Sequence, residues 1–334
     1  MPARGRPPRS QIHAALAREV NDLRTRLGGL PLPAEAEDIW SSIWSQEAHN
    51  STALEGNTLV LQEVETLLRT GKAVGEKELK DYLEVQGYAT AAEWVYGQAR
   101  GAGDIQPERL ITLQEVREVH FRLLSPVWQV APHPNALPDE SPGNWRRHNI
   151  AAFTRGMKPP DFTEVPALIQ DWVTSVQHIS DDPAPLAEAV ATRHATFERI
   201  HPFLDGNGRA GRLLMNLICV RLGYPPANIQ KRERPRYIEA LTKADRGDPG
   251  PLGELIARAV LDNLHRFVMP AVAGPNKLLP LAALETKDVT RRALRHAAER
   301  GRLRAIHGDD GQWLSSRRWV DEYTKTRYKR TTPS

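Results

Sequence analysis

Apolar residues recur at helical spacing along most of this chain. Within residues 39–44, two isoleucines and two tryptophans fall on one helical face. A second helix is expected from Thr58, an N-cap residue type, to just before Gly71. Gly223 and Gly247 are typical helix stops. The pattern predicts further helices over 76–99, 107–124, 164–179, 184–199, 209–222, 234–245 and 250–268.

Residues 126–163 interrupt the helical pattern. Seven prolines and two glycines stand in this stretch, on either side of the segment from Asn144 to Thr154. Such breakers favour a short two-stranded hairpin, or an ordered flap, over a helix. A second interruption, at 269–276, reads as a linker to a different module.

The charge distribution changes after that linker. The whole chain has a net charge of +4, but residues 275–334 hold 14 Lys/Arg against 7 Asp/Glu. The basic character is therefore local, which favours an acidic partner for the C-terminal module alone.

The C-terminal module has its own pattern. A short helix, a turn and a second helix ending at Gly301 would place Arg291, Arg292 and Arg295 along one side. Asp310-Gly311 suits the turn of a small hairpin. Residues 277–330 resemble a winged helix-turn-helix of the excisionase or MerR type. DNA binding and protein contact both remain open for this module.

Composition is that of an ordinary globular protein. Of 334 residues, 40% are hydrophobic and 26% charged. The single cysteine, Cys219, excludes an internal disulfide and favours a reducing, cytoplasmic location. No apolar run approaches the length of a membrane span, so no membrane contact is expected. Residues 1–10 lack the apolar segment of a signal peptide and are expected to be a disordered arm.

The segment 201–212, His-Pro-Phe-Leu-Asp-Gly-Asn-Gly-Arg-Ala-Gly-Arg, concentrates chemically active groups before a helix. Gly206 and Gly208 allow backbone N–H groups to converge on an anion, and Asn207 adds a donor. Arg209 and Arg212 share a helical face suited to a polyphosphate.

Two further groups of the same segment complete the chemistry. Asp205 is able to hold Mg²⁺ beside phosphate oxygens. His201 titrates near neutrality and suits a general base. The ligand spacing of an EF-hand and the Gly-Lys-Ser/Thr of a Walker loop are absent.

The segment also carries a family signature. His-x-Phe-x-Asp-Gly-Asn-Gly-Arg-x-x-Arg is the motif of the Fic family, and every specified position matches. About 110–270 resembles the Fic core, with 143–170 similar to its flap and the helix after it. The resemblance implies an all-α fold, a Fic helical core with a short β-hairpin flap, to which the winged helix-turn-helix is added.

The resemblance also implies an activity: transfer of AMP from ATP to Ser, Thr or Tyr hydroxyls of proteins, including this protein itself. His201 would take the proton and Asp205 the Mg²⁺. Gly206, Asn207 and Gly208 would form the anion hole, with Asn207 on the α-phosphate. Arg209 and Arg212 would hold the outer phosphates. Tyr237 is assigned either to an adenosine pocket or to helix packing.

A second motif precedes the core. Ser51 and Glu55 are four residues apart, and Gly56 is able to end their helix. They resemble the family's inhibitory motif, which implies that Glu55 pairs with Arg212 and misaligns ATP. The same glutamate would position water if the reaction ran in reverse.

The expected organisation is an N-terminal helical region over 1–106, a Fic core over 107–270 and the winged-helix-like module over 277–330. Two alternatives to AMP transfer remain. One is a DNA-binding regulator whose core senses nucleotide. The other is different phosphoryl chemistry, such as another nucleotide or a phosphocholine group. The target is not specified by the sequence, and a homodimer stays open.

Overall fold

The computed structural model describes residues 7–33, 36–100, 106, 109–151, 157–274, 277–308 and 311–327. Most of them are helical. The helices are α1 (Arg9–Arg26), α2 (Glu37–Leu54), α3 (Leu61–Thr70), α4 (Leu79–Tyr96), α5 (Leu113–Trp128), α6 (Val165–Gln177), α7 (Leu186–Ile200), α8 (Asn207–Arg221), α9 (Arg234–Asp245), α10 (Gly250–Asn263), α11 (Met269–Val272), α12 (Arg291–Glu299) and α13 (Arg317–Thr326). The strands are β1 (Leu279–Pro280), β2 (Ile306–His307) and β3 (Trp313–Ser315).

The chain divides into two compact units, Met1–Val260 and Leu261–Ser334. The predicted N-terminal helical region and nearly all of the predicted core therefore lie in one unit. No described helix is both long and apolar enough to cross a membrane.

Helix α8 is the centre of the first unit. It contacts α2, α4, α5 and α7, and every residue from 209 to 221 is buried. A helix that is covered all round must satisfy its polar groups internally. Asn216 donates to Glu47 Oε1 at 2.6 Å, and Tyr88 Oη donates to the same oxygen at 2.7 Å. This network fixes α2, α4 and α8 against one another behind the loop that starts α8.

Most helix predictions agree with the structure, but three helix starts or ends differ. Helix α3 begins at Leu61 after Val60 and not at the expected N-cap Thr58, and α5 runs from Leu113 to Trp128 through Pro126 and not over 107–124. Helix α3 ends where expected, at a left-handed Gly71 with φ of 69°.

The third difference is at the N-terminus. The predicted disordered arm extends too far, because α1 begins at Arg9. The buried side chains of α1 include Ile12, Leu16 and Val20, which are spaced four residues apart. That spacing was a helix signal available in the sequence.

The predicted hairpin between 144 and 154 is not formed by the described residues. Residues 143–151 and 157–161 carry no strand, and 152–156 lie outside the described part. Pro159 and Pro160 have no N–H to donate to a ladder. The carbonyls of His148 and Pro160 instead accept hydrogen bonds from the Arg146 guanidinium.

The second unit contains a three-stranded antiparallel sheet in the order β1-β3-β2. Ile306 pairs with Leu314, and His307 pairs with Trp313. This is the small hairpin expected from the sequence, although Asp310 of its turn lies outside the described residues. Helix α12 precedes it and ends before Gly301, as expected.

Candidate active site

The loop between α7 and α8 begins with a strained histidine. His201 ends α7 with φ of 50°, and among the described residues it alone has a positive φ without being glycine. Such a conformation costs of order 1 kcal/mol or more and persists only where neighbours impose it. The His201 N–H donates to the Phe197 carbonyl at 3.0 Å, which turns the side chain out of the helix.

The histidine is prepared to act as a base. Its Nδ1 lies 3.1 Å from the Glu198 carbonyl. A carbonyl only accepts, so Nδ1 carries the proton and Nε2 carries the lone pair. Burial lowers the pKa of His201 to about 4, and the nearby Arg146 contributes in the same direction. The imidazole is therefore neutral at pH 7.

Asn207 closes the loop. Its Oδ1 accepts from the Phe203 N–H at 2.9 Å, and its Nδ2 donates to the Phe203 carbonyl at 2.8 Å. The amide nitrogen carries two N–H groups, and one of them donates to the Phe203 carbonyl, so the other is able to donate to an anion. Asn207 also lines the cavity described below, and its contact to an α-phosphate stays a prediction. Backbone N–H groups at the start of α8 remain the better anion donors.

The two glycines of the loop are required for different reasons. Gly206 has φ of 75°, and a Cβ there would lie 3.1 Å from Leu124. Gly208 has ordinary dihedral angles, but a Cβ there would lie 2.5 Å from Glu55 Oε1 and 3.2 Å from Arg212 Nη1. A carboxylate therefore lies against the first turn of α8, where the helix dipole favours an anion.

Arg212 is held by Ser51 and Glu55, the residues of the predicted inhibitory motif. Its Nε donates to Ser51 Oγ at 2.7 Å, and its Nη2 donates to the Ser51 carbonyl at 3.0 Å and to Glu55 Oε1 at 2.8 Å. Burial opposes the charge of both Arg212 and Glu55. Their attraction nevertheless raises the pKa of Arg212 and lowers that of Glu55 overall. The predicted pair is present.

Arg209 faces two carboxylates at longer range. Its Nη2 lies 3.4 Å from Asp205 Oδ1, and its Nη1 lies 3.4 Å from Glu84 Oε1. The residue is 4% exposed, yet its Nε and Nη1 make no hydrogen bond to any described residue. Buried guanidinium nitrogens without hydrogen bonds are costly unless a ligand completes them.

Asp205 is the acidic group of the loop. Burial alone would raise its pKa, but the Arg209 charge and the hydrogen bond from the Gly206 N–H, together with smaller contributions, lower the pKa overall. Its side chain is 44% exposed, and its Oδ1 accepts from the Gly206 N–H at 2.6 Å. No group of three or more potential metal ligands occurs among the described residues. A lone ionised carboxylate fits Mg²⁺, which takes its other ligands from phosphates and water.

One cavity of about 910 Å³ is lined by His201, by residues 205–209 and by Glu55, but not by Ser51 or Arg212. Its walls come from the α7–α8 loop, the start of α8, the end of α2, one face of α4 and the base of the flap. The lining side chains that bear on the chemistry are Glu55, Lys80, Glu84, His148, Asn149, His201, Asp205 and Arg209. The volume is in the range of sites for a drug-sized ligand.

Tyr237 does not line this cavity. It is 2% exposed, and its Oη lies 2.7 Å from His194 Nε2. Arg212 Cζ lies 5.9 Å from the centre of its ring. Of the two assignments made from the sequence, helix packing matches the structure and the adenosine pocket does not.

Two residues that support the loop were not predicted from the sequence. His120 of α5 accepts from the Gly143 N–H at Nδ1, 2.8 Å away, and its Nε2 donates to the Asp205 carbonyl at 2.9 Å. Burial lowers its pKa to about 4, so one tautomer bridges flap and loop. Arg146 is 1% exposed, although it lies in the segment expected to form the flap.

Residues 110–219 match the sequence model of the Fic/DOC family. The chain is 31% identical over 245 residues to a protein adenylyltransferase Fic of Drosophila willistoni, which covers 72% of this chain and 45% of that protein. A protein of the same name from Nematostella vectensis is 29% identical over 297 residues, covering 86% and 62%. The chain thus spans about half the length of the curated relatives it matches.

Solved structures give the same fold. A Fic-domain signalling protein from Bacteroides thetaiotaomicron superposes with a TM-score of 0.60 at 24% identity, covering 78% of this chain and 95% of that one. A fragment of Fic-1 from C. elegans superposes with a TM-score of 0.60 at 26% identity, covering 77% and 72%.

Proposed function

Since this chain carries a Fic domain over residues 110–219, we propose that it transfers AMP from ATP to hydroxyl groups of proteins, itself among them. One observation carries the proposal. A neutral histidine with its proton fixed on Nδ1 borders a cavity that also contains an ionised carboxylate and a helix N-terminus. Base, cation site and anion site are the three parts that nucleotidyl transfer requires.

The residues divide the reaction between them. His201 Nε2 accepts the proton of the attacking hydroxyl, whose oxygen forms a bond to the α-phosphorus of ATP. The bond from that phosphorus to the β-phosphate oxygen breaks, and pyrophosphate leaves. Backbone N–H groups from Gly206 to Gly208 and the unsatisfied nitrogens of Arg209 stabilise the negative charge on the phosphates. Asp205 holds Mg²⁺, which supplies charge neutralisation along the polyphosphate when bound.

The contact between Glu55 and Arg212 supports an inhibited resting state. Glu55 Oε1 lies against Gly208, where a phosphate oxygen of ATP would approach the helix, and it occupies Arg212 Nη2. ATP that enters this site lacks Arg212 as a partner. When the Glu55 carboxylate is removed, Arg212 is able to bind the triphosphate.

The decisive assay is mass spectrometry after incubation with Mg²⁺ and labelled nucleotide. Glu55→Gly protein should acquire an AMP adduct, and the same protein carrying His201→Ala should not. Testing ATP, GTP, CTP, UTP and CDP-choline in parallel separates AMP transfer from its alternatives. Loss of AMP from a premodified sample would indicate the reverse reaction. No adduct from any nucleotide with Glu55→Gly protein contradicts the proposal.

A second function, binding of duplex DNA, is favoured by the exposed side of α12. Arg291, Arg292 and Arg295 are exposed there, and the first turn contains no acidic residue. Cations in a first turn oppose the helix dipole, so two arginines at this end are costly without an anionic partner. The antiparallel order β1-β3-β2 beside such a helix supports the winged-helix assignment.

The salt dependence of binding to a labelled duplex tests this function in the full chain. Replacing Arg291 and Arg292 with Gln should weaken binding and reduce the slope of log K against log salt by about two. Arg266→Gln, an exposed arginine in an ion pair with Asp262, serves as the control. Binding that is absent at low salt would leave protein contact as the module's role.

A further inference from the structure

One buried guanidinium joins the two ends of the flap to the catalytic loop. Arg146 Nε donates to the His201 carbonyl at 2.9 Å, Nη1 to the His148 carbonyl at 3.2 Å and Nη2 to the Pro160 carbonyl at 2.7 Å. The residue is 1% exposed. Its own N–H donates to the Pro202 carbonyl at 2.9 Å. Three chain segments distant in sequence therefore meet at a single side chain.

The two ends of the flap, at residues 148–149 and 160–162, form the flap neck. A second set of hydrogen bonds joins these ends beside the bonds from Arg146. Asn149 Nδ2 donates to Asp161 Oδ2 at 2.8 Å, and Asn149 Oδ1 accepts from the Phe162 N–H at 2.9 Å. The neck thus behaves as one piece. His148, Asn149 and Ile150 line the cavity. A peptide bound along the flap would therefore contact the same neck that Arg146 connects to His201.

The contact with His201 acts at the strained residue. Its carbonyl is fixed by Arg146 while its N–H is fixed by Phe197, so both peptide groups of the left-handed residue are restrained. The planar guanidinium of an arginine is able to donate to three separate carbonyls from three nitrogens, and the single ammonium of a lysine is not. An error of about 1 Å in the position of a catalytic base costs roughly 100-fold in rate.

Arg146 also contributes charge. The groups whose charges act on His201 are Arg146, Glu55 and Asp205, and its Nδ1 bonds to the Glu198 backbone. Arg146 opposes a second positive charge on the imidazole, whereas the two carboxylates favour it. Without Arg146 the pKa of His201 should rise, but a ring whose pKa is about 4 stays neutral at pH 7, so the effect of Arg146 on turnover comes from the position of the base.

We propose that Arg146 is a positioning residue that couples the flap to His201, so that occupation of the flap by a target segment and alignment of the base depend on each other. This inference deepens the AMP-transfer function proposed above. It predicts that Arg146 affects turnover and the state of the imidazole, and leaves the affinity for ATP unchanged, because Arg146 does not line the nucleotide cavity.

The test uses the full chain with Glu55→Gly as the parent, so that inhibition does not hide the effect. Arg146→Lys keeps a cation but is unable to span three carbonyls. Arg146→Met removes both charge and donors. Arg147→Met is the matched control, because the neighbouring Arg147 has a 63% exposed side chain and pairs only with surface Asp139 among the contacts described.

Kinetics give the first readout. With self-modification measured at saturating ATP, Arg146→Lys and Arg146→Met should each lower kcat about 100-fold, with the KM for ATP within about twofold of the parent. Arg147→Met should behave like the parent. Equal kcat in Arg146→Lys and the parent overturns the proposal. The proposal is also overturned if a loss of folded protein, measured by thermal unfolding and ATP binding, accounts for the whole fall in kcat.

The second readout does not need activity. NMR titration of ¹⁵N-labelled histidine, with His201 assigned from the His201→Ala spectrum, reports its pKa and tautomer. Arg146→Met should raise that pKa by about half a unit or more and mix the tautomers, while Arg146→Lys should leave the pKa near the parent value. No change in Arg146→Met overturns the proposal. If the parent transfers no AMP, the proposed function fails, yet this titration still decides the role of Arg146.

Discussion

The pair between Glu55 and Arg212 makes a quantitative prediction about activation. The two side chains meet at 2.8 Å, where the Arg212 side chain is 4% exposed and the Glu55 side chain is 42% exposed. A charge-assisted hydrogen bond contributes about 1.5–3 kcal/mol, and solvent screening of the half-exposed carboxylate reduces this. A value of about 2 kcal/mol corresponds to roughly a 30-fold preference for the inhibited arrangement.

Glu55→Gly should therefore increase the rate of AMP incorporation about 30-fold at saturating ATP. Glu55→Gln keeps a neutral acceptor for Arg212 worth about 1 kcal/mol, so its rate should rise only about fivefold. Glu118→Gln, which removes the charge of a carboxylate paired with Arg122 on the surface of α5, should leave the rate unchanged.

The assay is the initial rate of labelled AMP incorporation at several enzyme concentrations. The reasoning would be refuted by equal initial rates of AMP incorporation in wild type, Glu55→Gln and Glu55→Gly. An increase in Glu118→Gln as large as in Glu55→Gly would also refute it, because the effect would then be one of net charge.

Three further predictions concern stability and the metal. Burial raises the pKa of Glu47 to about 7, so its contribution to stability is complete below about pH 4.5 and is lost as the pH rises through about 7. Between pH 4.5 and 8 the free energy of unfolding should fall by about 3 kcal/mol less in Glu47→Gln than in wild type, measured by urea unfolding. Gly206→Ala should lower the free energy of unfolding by about 2 kcal/mol or more in the same assay, because Gly206 has φ of 75° and the added Cβ would lie 3.1 Å from Leu124. Asp205→Asn should raise the Mg²⁺ concentration for half-maximal activity about tenfold or more, and chelation by EDTA should stop transfer; an unchanged Mg²⁺ requirement would contradict the metal role.

Helix positions were the most predictable part of the fold. α9 falls at 234–245 as expected, because its pattern is flanked by breakers that act locally. The flap differed, since prolines and glycines predict an interruption but not which partners its carbonyls find. Those partners are the nitrogens of Arg146, a side chain that is placed by its bond to His201, 55 positions away. Sequence patterns contain local propensity and lose such long-range contacts.

The site shows the same division. The signature predicted His201, Asp205 and Arg209 at one cavity, and they line it together. It assigned Asn207 to a phosphate, and the structure adds that the same amide closes the loop on Phe203. A motif gives the residues that chemistry requires, but the bracing of the loop by this amide is visible only from the geometry.

Support of the loop from both sides explains why a strained histidine is tolerated at its start. Arg146 fixes the carbonyl of His201, and His120 fixes the carbonyl of Asp205 four residues later. Both supports come from the flap side, since His120 also receives the Gly143 N–H. Glu55 and Ser51 restrain the other side through Arg212. The base and the phosphate site are thus controlled by different contacts, so release of Glu55 admits productive ATP while the alignment of His201 still depends on the flap.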